Sequence, residues 1–281
     1  MSEWFAQGMP LDSIPVDDRG AQYGDGLFET VAIRDGRPRF WTLHFDRLRT
    51  GCDRLGLEAP QEAALQQELE SAIKSSEVDT SFAVAKIIVS AEGGRRGYQR
   101  PVQAQPVVRI GIFESRPLAR TEYRDGVAVM LCRSRLALQP LLAGIKSLNC
   151  LEQVLARAEW DDSSVAEGLM LDTDDRLICG TMSNVFICRE NSIATPAVTR
   201  CGVLGVMRQH VLSTLSEQGQ ACEVRDIELD ELHAADEVFL TNSQFGVLPV
   251  RQLNSISFSI GEVTRNVMAL MARNGVSECA R

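Results

Sequence analysis

Leu142-Ala143-Gly144-Ile145-Lys146-Ser147-Leu148-Asn149-Cys150-Leu151-Glu152-Gln153 sets one lysine after an apolar run and ahead of a helical pattern. Leu148, Leu151, Val154, Leu155 and Ala158 recur at steps of three and four, which predicts a helix with one buried face. Lys146 therefore sits in apolar company just before that helix. Desolvation disfavours an ammonium, so a lysine there either becomes a usable nucleophile or base, or packs its stem and extends its head to water. The chain holds only three lysines, Lys74, Lys86 and Lys146, among 29 basic residues.

The 281 residues suffice for one large domain or two smaller ones. A hydrophobic share of 44% and a charged share of 24% fit an ordinary globular protein. A net charge of -9 argues against a nucleic-acid surface, so any bound phosphate must be held by local dipoles and a few arginines. No apolar run reaches membrane-span length, and Met1-Ser2-Glu3-Trp4 carries no signal-peptide pattern, so no membrane partner is expected. Eight scattered cysteines without a Cys-x-x-Cys pair suggest neither a zinc site nor a disulfide framework, and fit a reducing cytoplasm.

From the start of the chain, Asp17–Gly20 and Tyr23–Gly26 read as turns and Leu27–Arg34 as a strand. Helices are expected over Phe40–Leu57 and Gln61–Ser75, then strands over Phe82–Ser90 and Val107–Phe113 about the loop Glu92–Tyr98. The polar stretch Glu114–Asp125 contains Pro117 and reads as a linker. Domains are accordingly expected at 1–115 and 126–281, with 116–125 between them. Later strands are expected at Val127–Leu131, Gly168–Asp172, Leu177–Cys188, Cys222–Asp226, Glu237–Thr241 and Val247–Val250. Later helices fall near Val206–Gln218, Asp230–Ala234 and Ile260–Arg273, giving an α+β fold class.

Few residues suggest chemistry directly. His44, His210 and His233 have no nucleophile motif beside them, and no metal-ligand spacing occurs. Gly202-Val203-Leu204-Gly205 before a helix is either a phosphate cradle or an ordinary helix start. Asn242-Ser243 could donate to the same phosphate or simply form a turn. A lysine for an imine and two such turns point to pyridoxal 5'-phosphate.

Several motifs then occur in one order. They are Asp18-Arg19-Gly20…Tyr23-Gly24-Asp25-Gly26-Leu27-Phe28-Glu29-Thr30, His44-x-x-Arg47-Leu48, Gly94-x-Arg96-Gly97-Tyr98 and the lysine stretch. Ser183-Asn184-x-Phe186, Gly202-Val203-x-Gly205-Val206-Met207-Arg208 and Asn242…Leu248-Pro249-Val250 follow. With them the chain resembles, over nearly its whole length, the fold-type IV pyridoxal-phosphate enzymes, and among these the aminodeoxychorismate lyases.

The resemblance implies a two-domain fold like that of D-amino acid aminotransferases. A smaller N-terminal α/β domain would precede a larger C-terminal pseudo-barrel that binds the cofactor. It implies that Lys146 bonds to the cofactor aldehyde and later moves the substrate proton, assisted by Thr30. Arg47 would bind the phosphate with Gly205, Val206, Met207 and Ser243. Lys86 and Arg96 would face substrate carboxylates, with Asn242 in the substrate-binding set. From the residues alone, Lys86 could equally be a strand lysine facing water and Arg96 a solvated loop residue. The implied reaction converts the small molecule 4-amino-4-deoxychorismate to 4-aminobenzoate and pyruvate in a cytoplasmic homodimer. A D-amino acid or branched-chain aminotransferase, a non-catalytic cofactor binder and a cofactor-free scaffold are the alternatives.

One position departs from the pattern. Relatives carry a glutamate five residues before the Asn-x-Phe asparagine, where it pairs with the pyridinium nitrogen. Here that position is Cys179, and a neutral thiol cannot stabilise a pyridinium as a carboxylate does.

Overall fold

The computed structural model describes residues 2–93, 96–102 and 104–280. They form two compact units, Met1–Arg116 with Ile145–Asn149, and Pro117–Gly144 with Cys150–Arg281. The lysine segment thus groups with the first unit although it lies within the sequence span of the second.

The first unit contains β1 (Ser2–Ala6), β2 (Met9–Pro10), α1 (Arg19–Tyr23), β3 (Gly26–Arg34) and β4 (Arg37–Pro38). These are followed by α2 (Trp41–Leu55), α3 (Glu62–Ser75), β5 (Phe82–Ala91) and β6 (Pro106–Glu114). Its sheet is antiparallel throughout, in the order β2-β1-β6-β5-β3-β4. Alternation along β3 and β5 buries Leu27, Glu29, Val31, Ala83, Ala85, Ile87 and Val89 on one face. Against the sheet pack α2, through Phe45, Leu48 and Cys52, and α3, through Leu65, Leu69 and Ile73. Gly51 permits the close approach of α2, because a Cβ there would lie 2.8 Å from both Cδ atoms of buried Leu27.

The second unit contains α4 (Arg120–Asp125), β7 (Val127–Leu136), α5 (Leu151–Arg157), β8 (Val165–Asp172) and β9 (Leu177–Gly180). Next come β10 (Asn184–Arg189), β11 (Ser192–Pro196), α6 (Val206–Glu217), β12 (Cys222–Arg225) and α7 (Leu229–His233). It closes with β13 (Glu237–Asn242), β14 (Gly246–Leu253), β15 (Ile256–Ser257) and α8 (Glu262–Arg273). The mixed sheet runs β12-β11-β10-β13-β14-β7-β8-β9, with β15 on β14. Phe186 and Phe239, cross-strand partners on β10 and β13, stack with ring centroids 4.7 Å apart at its centre. Within the stretch read as a linker, α4 buries Tyr123, whose hydroxyl donates to the Phe245 carbonyl (3.1 Å).

Three local expectations need correction. Asp17–Gly20 is not a plain turn: Asp18 caps α1, its carboxylate accepting from the Ala21 amide at 2.8 Å. Leu177–Cys188 is two strands, because Thr181–Ser183 turns between β9 and β10. The helix expected from Leu148 begins only at Leu151, and its Leu151, Val154 and Leu155 are exposed (76%, 59% and 64%). Leu148 belongs instead to an extended segment paired with β3. The helix turns Glu152, which accepts from the Ala137 amide (2.9 Å), and Ala156 inward at a four-residue step. That leaves the three larger side chains facing outward.

The stacked pair offers a direct check on the core. Phe239→Ala is expected to destabilise the protein by about 3–5 kcal/mol, read as a lowered urea midpoint with unchanged slope.

Candidate active site

In the first unit the lysine segment is strapped to the edge of β3. The Phe28 amide donates to the Lys146 carbonyl (2.9 Å), and the Leu148 amide to that of Gly26 (3.0 Å). Leu27 and Ser147 lie opposite each other as an antiparallel bridge. Successive side chains alternate between faces, so Lys146 shares the face of Phe28. Lys146 Nζ lies 4.1 Å from the Phe28 ring centroid, and Lys86 Nζ lies 4.9 Å from it. Thr30 is the cross-strand partner of Lys86. The ring's negative face attracts both ammonium groups. Three of the expected site residues, Lys146, Lys86 and Thr30, therefore occupy one sheet face.

The opposite face of β3 carries Glu29, 1% exposed, beneath α2. Arg47 Nε donates to Glu29 Oε1 (2.8 Å) and its terminal nitrogen to Oε2 (2.5 Å), while His44 Nδ1 lies 2.6 Å from Oε2. Burial pushes the Glu29 carboxyl up, but the charge of Arg47 and the hydrogen bonds from Arg47 and His44 outweigh it and bring it down to about 2. Burial is also the largest influence on His44. It lowers the imidazole, Arg47 and Lys146 act the same way, and Glu29 opposes them without reversing the direction. His44 is thus neutral at pH 7, and Nδ1–H donates to Glu29. The guanidinium of Arg47 is oriented by an ionised carboxylate.

The loop bearing Arg96 is clasped from α1. Arg19 donates to Asp25 Oδ2 (2.8 Å) and to the carbonyls of Gly97 (3.1 Å) and Tyr98 (2.8 Å). Arg100 pairs with Asp25 and donates to the Leu55 carbonyl at 2.6 Å. Arg96 itself is exposed, while Gly94 of its motif lies outside the described residues.

In the second unit Gly205 precedes α6, and no side chain caps that helix. A Cβ on Gly205 would fall 2.0 Å from Asn184 Oδ1, so any larger residue there would displace the Asn184 amide. Asn184 Nδ2 meanwhile donates to the Val203 carbonyl at 2.9 Å. Gly144 is tied to this turn twice: its amide donates to Gly202 (2.9 Å) and its carbonyl accepts from Leu204 (3.0 Å). The first-turn amides of α6, at Val206 and Met207, suit an anion. Asn242 spends its side-chain oxygen on the amides of Gln244 and Phe245, both at 2.9 Å, and Ser243 Oγ accepts from Gln244 Nε2 (3.3 Å). Cys179 is buried in an apolar cluster with Cys132, Trp160, Met170, Ile178 and Cys201.

Sequence reasoning gave no role to Glu29, His44, Arg19 or Glu167. Buried Glu167 accepts from the amides of Thr181 (3.1 Å) and Met182 (3.2 Å) and from the hydroxyls of Thr181 (2.5 Å) and Ser183 (2.8 Å). It holds the turn ahead of Asn184. Glu29 and Glu167 had a legible signal, a carboxylate inside an otherwise apolar strand, which requires a donor set. Within the first unit Lys146 offers an amine for an aldehyde and Arg47 a fixed cation; within the second, the uncapped α6 start offers an anion seat. Those groups fit a phosphorylated aldehyde; Cys179 does not supply an acid for a ring nitrogen.

Glu29 gives a pH signature. Its folded pKa lies below its unfolded value, so its contribution is full above about pH 4.5 and is lost as pH falls toward about 2. Glu29→Gln is expected to cost roughly 3 kcal/mol at pH 7. The variant's urea midpoint should then fall less than that of the native protein between pH 5 and pH 3.

The pattern that defines the amino-transferase class IV family matches residues 26–253. The aminodeoxychorismate lyase of Vibrio harveyi is 36% identical over 269 residues, covering 94% of this chain and 97% of that one. The D-alanine aminotransferase of Bacillus licheniformis is 27% identical over 275 residues, covering 96% and 94%. The crystal structure of 4-amino-4-deoxychorismate lyase from Pseudomonas aeruginosa is 43% identical, covers 97% of this chain and 99% of that one, and superposes with a TM-score of 0.90. The chain therefore belongs to the class IV aminotransferase family and has its α+β, fold-type IV architecture.

Proposed function

We propose that the protein is a pyridoxal-phosphate-dependent lyase that converts 4-amino-4-deoxychorismate to 4-aminobenzoate and pyruvate. The observation that carries the reading is Lys146, strapped to β3 on the same sheet face as Lys86 and Thr30, in a chain similar end to end to aminodeoxychorismate lyases.

Lys146 Nζ is the group to bond with the cofactor aldehyde. Arg47, the Gly205-Val206-Met207 helix start and Ser243 would hold the phosphate. When bound, the cofactor supplies an electron sink for a carbanion at the substrate carbon. Lys146 Nζ, once free, takes the C4 proton, and it or Thr30 Oγ1 serves the proton transfers that accompany loss of the enolpyruvyl group. Lys86 and Arg96 are assigned to the two substrate carboxylates, with Asn242 beside them. Cys179 stands where relatives have the ring-nitrogen acid. A neutral partner makes a weaker electron sink, and formation of an aromatic product compensates for that in a lyase.

The reading includes an N-terminal domain at 1–115, a connecting stretch at 116–125 and a cofactor-binding domain at 126–281. It includes a homodimer, supported by the exposed Leu151, Val154 and Leu155, which make an apolar surface in need of cover. It also includes a cytoplasmic location. Among the described residues no helix is long and apolar enough to cross a membrane. The similarity to a D-alanine aminotransferase favours aminotransferase activity as the second reading.

Product analysis separates the two. With the cofactor and 4-amino-4-deoxychorismate, equimolar 4-aminobenzoate and pyruvate are expected. Amino transfer from D-amino acids or branched-chain amino acids to an oxo acid, without 4-aminobenzoate, would overturn the lyase reading. Lys146→Ala should lower turnover by on the order of 10³-fold or more. Lys86→Gln should raise KM roughly tenfold while kcat changes little.

A further inference from the structure

His44 lies one helical turn before Arg47 on α2, and both side chains end on the Glu29 carboxylate. With Nδ1–H committed to Glu29, Nε2 is left as a lone-pair acceptor. It is buried and has no hydrogen-bond partner among the described residues. A buried polar atom without a partner is uncommon and calls for an explanation beyond packing. If His44 only supported Glu29, a side chain with a single donor would suffice.

The surrounding charges supply that explanation. Glu29 faces the imidazole from β3 and Arg47 from its own helix, while the charge of Lys146, on the other face of β3, acts on it more weakly. Both cations oppose a second proton on the ring. An anion on Arg47 would cancel the nearer of them. We propose that His44 is the proton acceptor coupled to cofactor binding, taking one proton from solvent onto Nε2 when the phosphate settles on Arg47. The imidazolium then adds a positive charge beside Glu29 and Arg47, and the unused acceptor becomes a donor. His44 is in this sense a positioning residue, acting on the anion site through Glu29 and Arg47. The proposal rests on the reading of Arg47 and Lys146 as cofactor ligands.

The test is calorimetric titration of the cofactor-free protein with pyridoxal 5'-phosphate at pH 7, in buffers of different ionisation enthalpy, to count protons. The phosphate's own titration and that of the Lys146 amine contribute to native and variant proteins alike, so the difference isolates His44. His44→Asn keeps a donor near the Nδ1 position for Glu29 and lacks the second nitrogen. His44→Gln serves if that variant does not fold. The native protein is expected to take up more protons per chain than either variant, by as much as about one. Its affinity should also weaken more steeply than theirs as pH rises above neutrality, by up to about tenfold per pH unit. Tight binding with equal proton counts in native and variant proteins would overturn this proposal alone. Failure of the native protein to bind the cofactor, seen as no visible absorbance, would overturn the cofactor reading and this proposal with it.

Discussion

Everything proposed for Lys146 depends on two backbone hydrogen bonds, from Phe28 to the Lys146 carbonyl and from Leu148 to the Gly26 carbonyl. They join a segment far along the sequence to the edge of a strand in the first unit. Because side chains alternate along paired strands, the register decides which face the amine takes. With Leu27 opposite Ser147, Lys146 shares the face of Phe28 and Lys86. A slip of one residue would turn it toward the buried helix side.

The same strand separates two kinds of charge. One face gathers ammonium groups over an aromatic ring. The other buries a carboxylate between an arginine and an imidazole. An isolated buried carboxylate is costly, and Glu29 is retained by charge-assisted hydrogen bonds from two residues one turn apart on α2. The carboxylate in turn fixes the guanidinium that the family resemblance assigns to phosphate. Glu167 does comparable work in the second unit, where four donors hold the turn that leads to Asn184, which pins Val203.

Much of this was legible in the sequence. The strong helix of α2, the alternation of β3 and β5 and the Gly205 start of α6 all follow from local patterns, and the structure carries them within one or two residues at most ends. The helix after Lys146 was misread because Leu148 and Leu151 share a three-residue spacing while belonging to different structures, one strapped to β3 and one in α5. Local periodicity cannot register a pairing made more than a hundred residues away. For the same reason the partners of Glu29 were invisible. The buried carboxylate could be suspected from the strand pattern, but His44 and Arg47 reach it only through tertiary packing. Arg96 and Asn242 show the limit from the other side: the motif assigns them to substrate, while the chain leaves one exposed and uses the oxygen of the other in a turn.

Cys179 is a thiol in an apolar cluster at a position where the family resemblance leads one to expect an acid. It bears on how strongly a bound ring draws electrons, not on which residue holds the cofactor. That attachment is the central claim, and the chain's three lysines make it easy to test. The cofactor-loaded protein would be reduced with borohydride, digested and mapped by mass spectrometry. A pyridoxyl group on Lys146, with Lys86 and Lys74 unmodified, is the expected result. Modification of Lys86 instead, or no adduct at all, would contradict it.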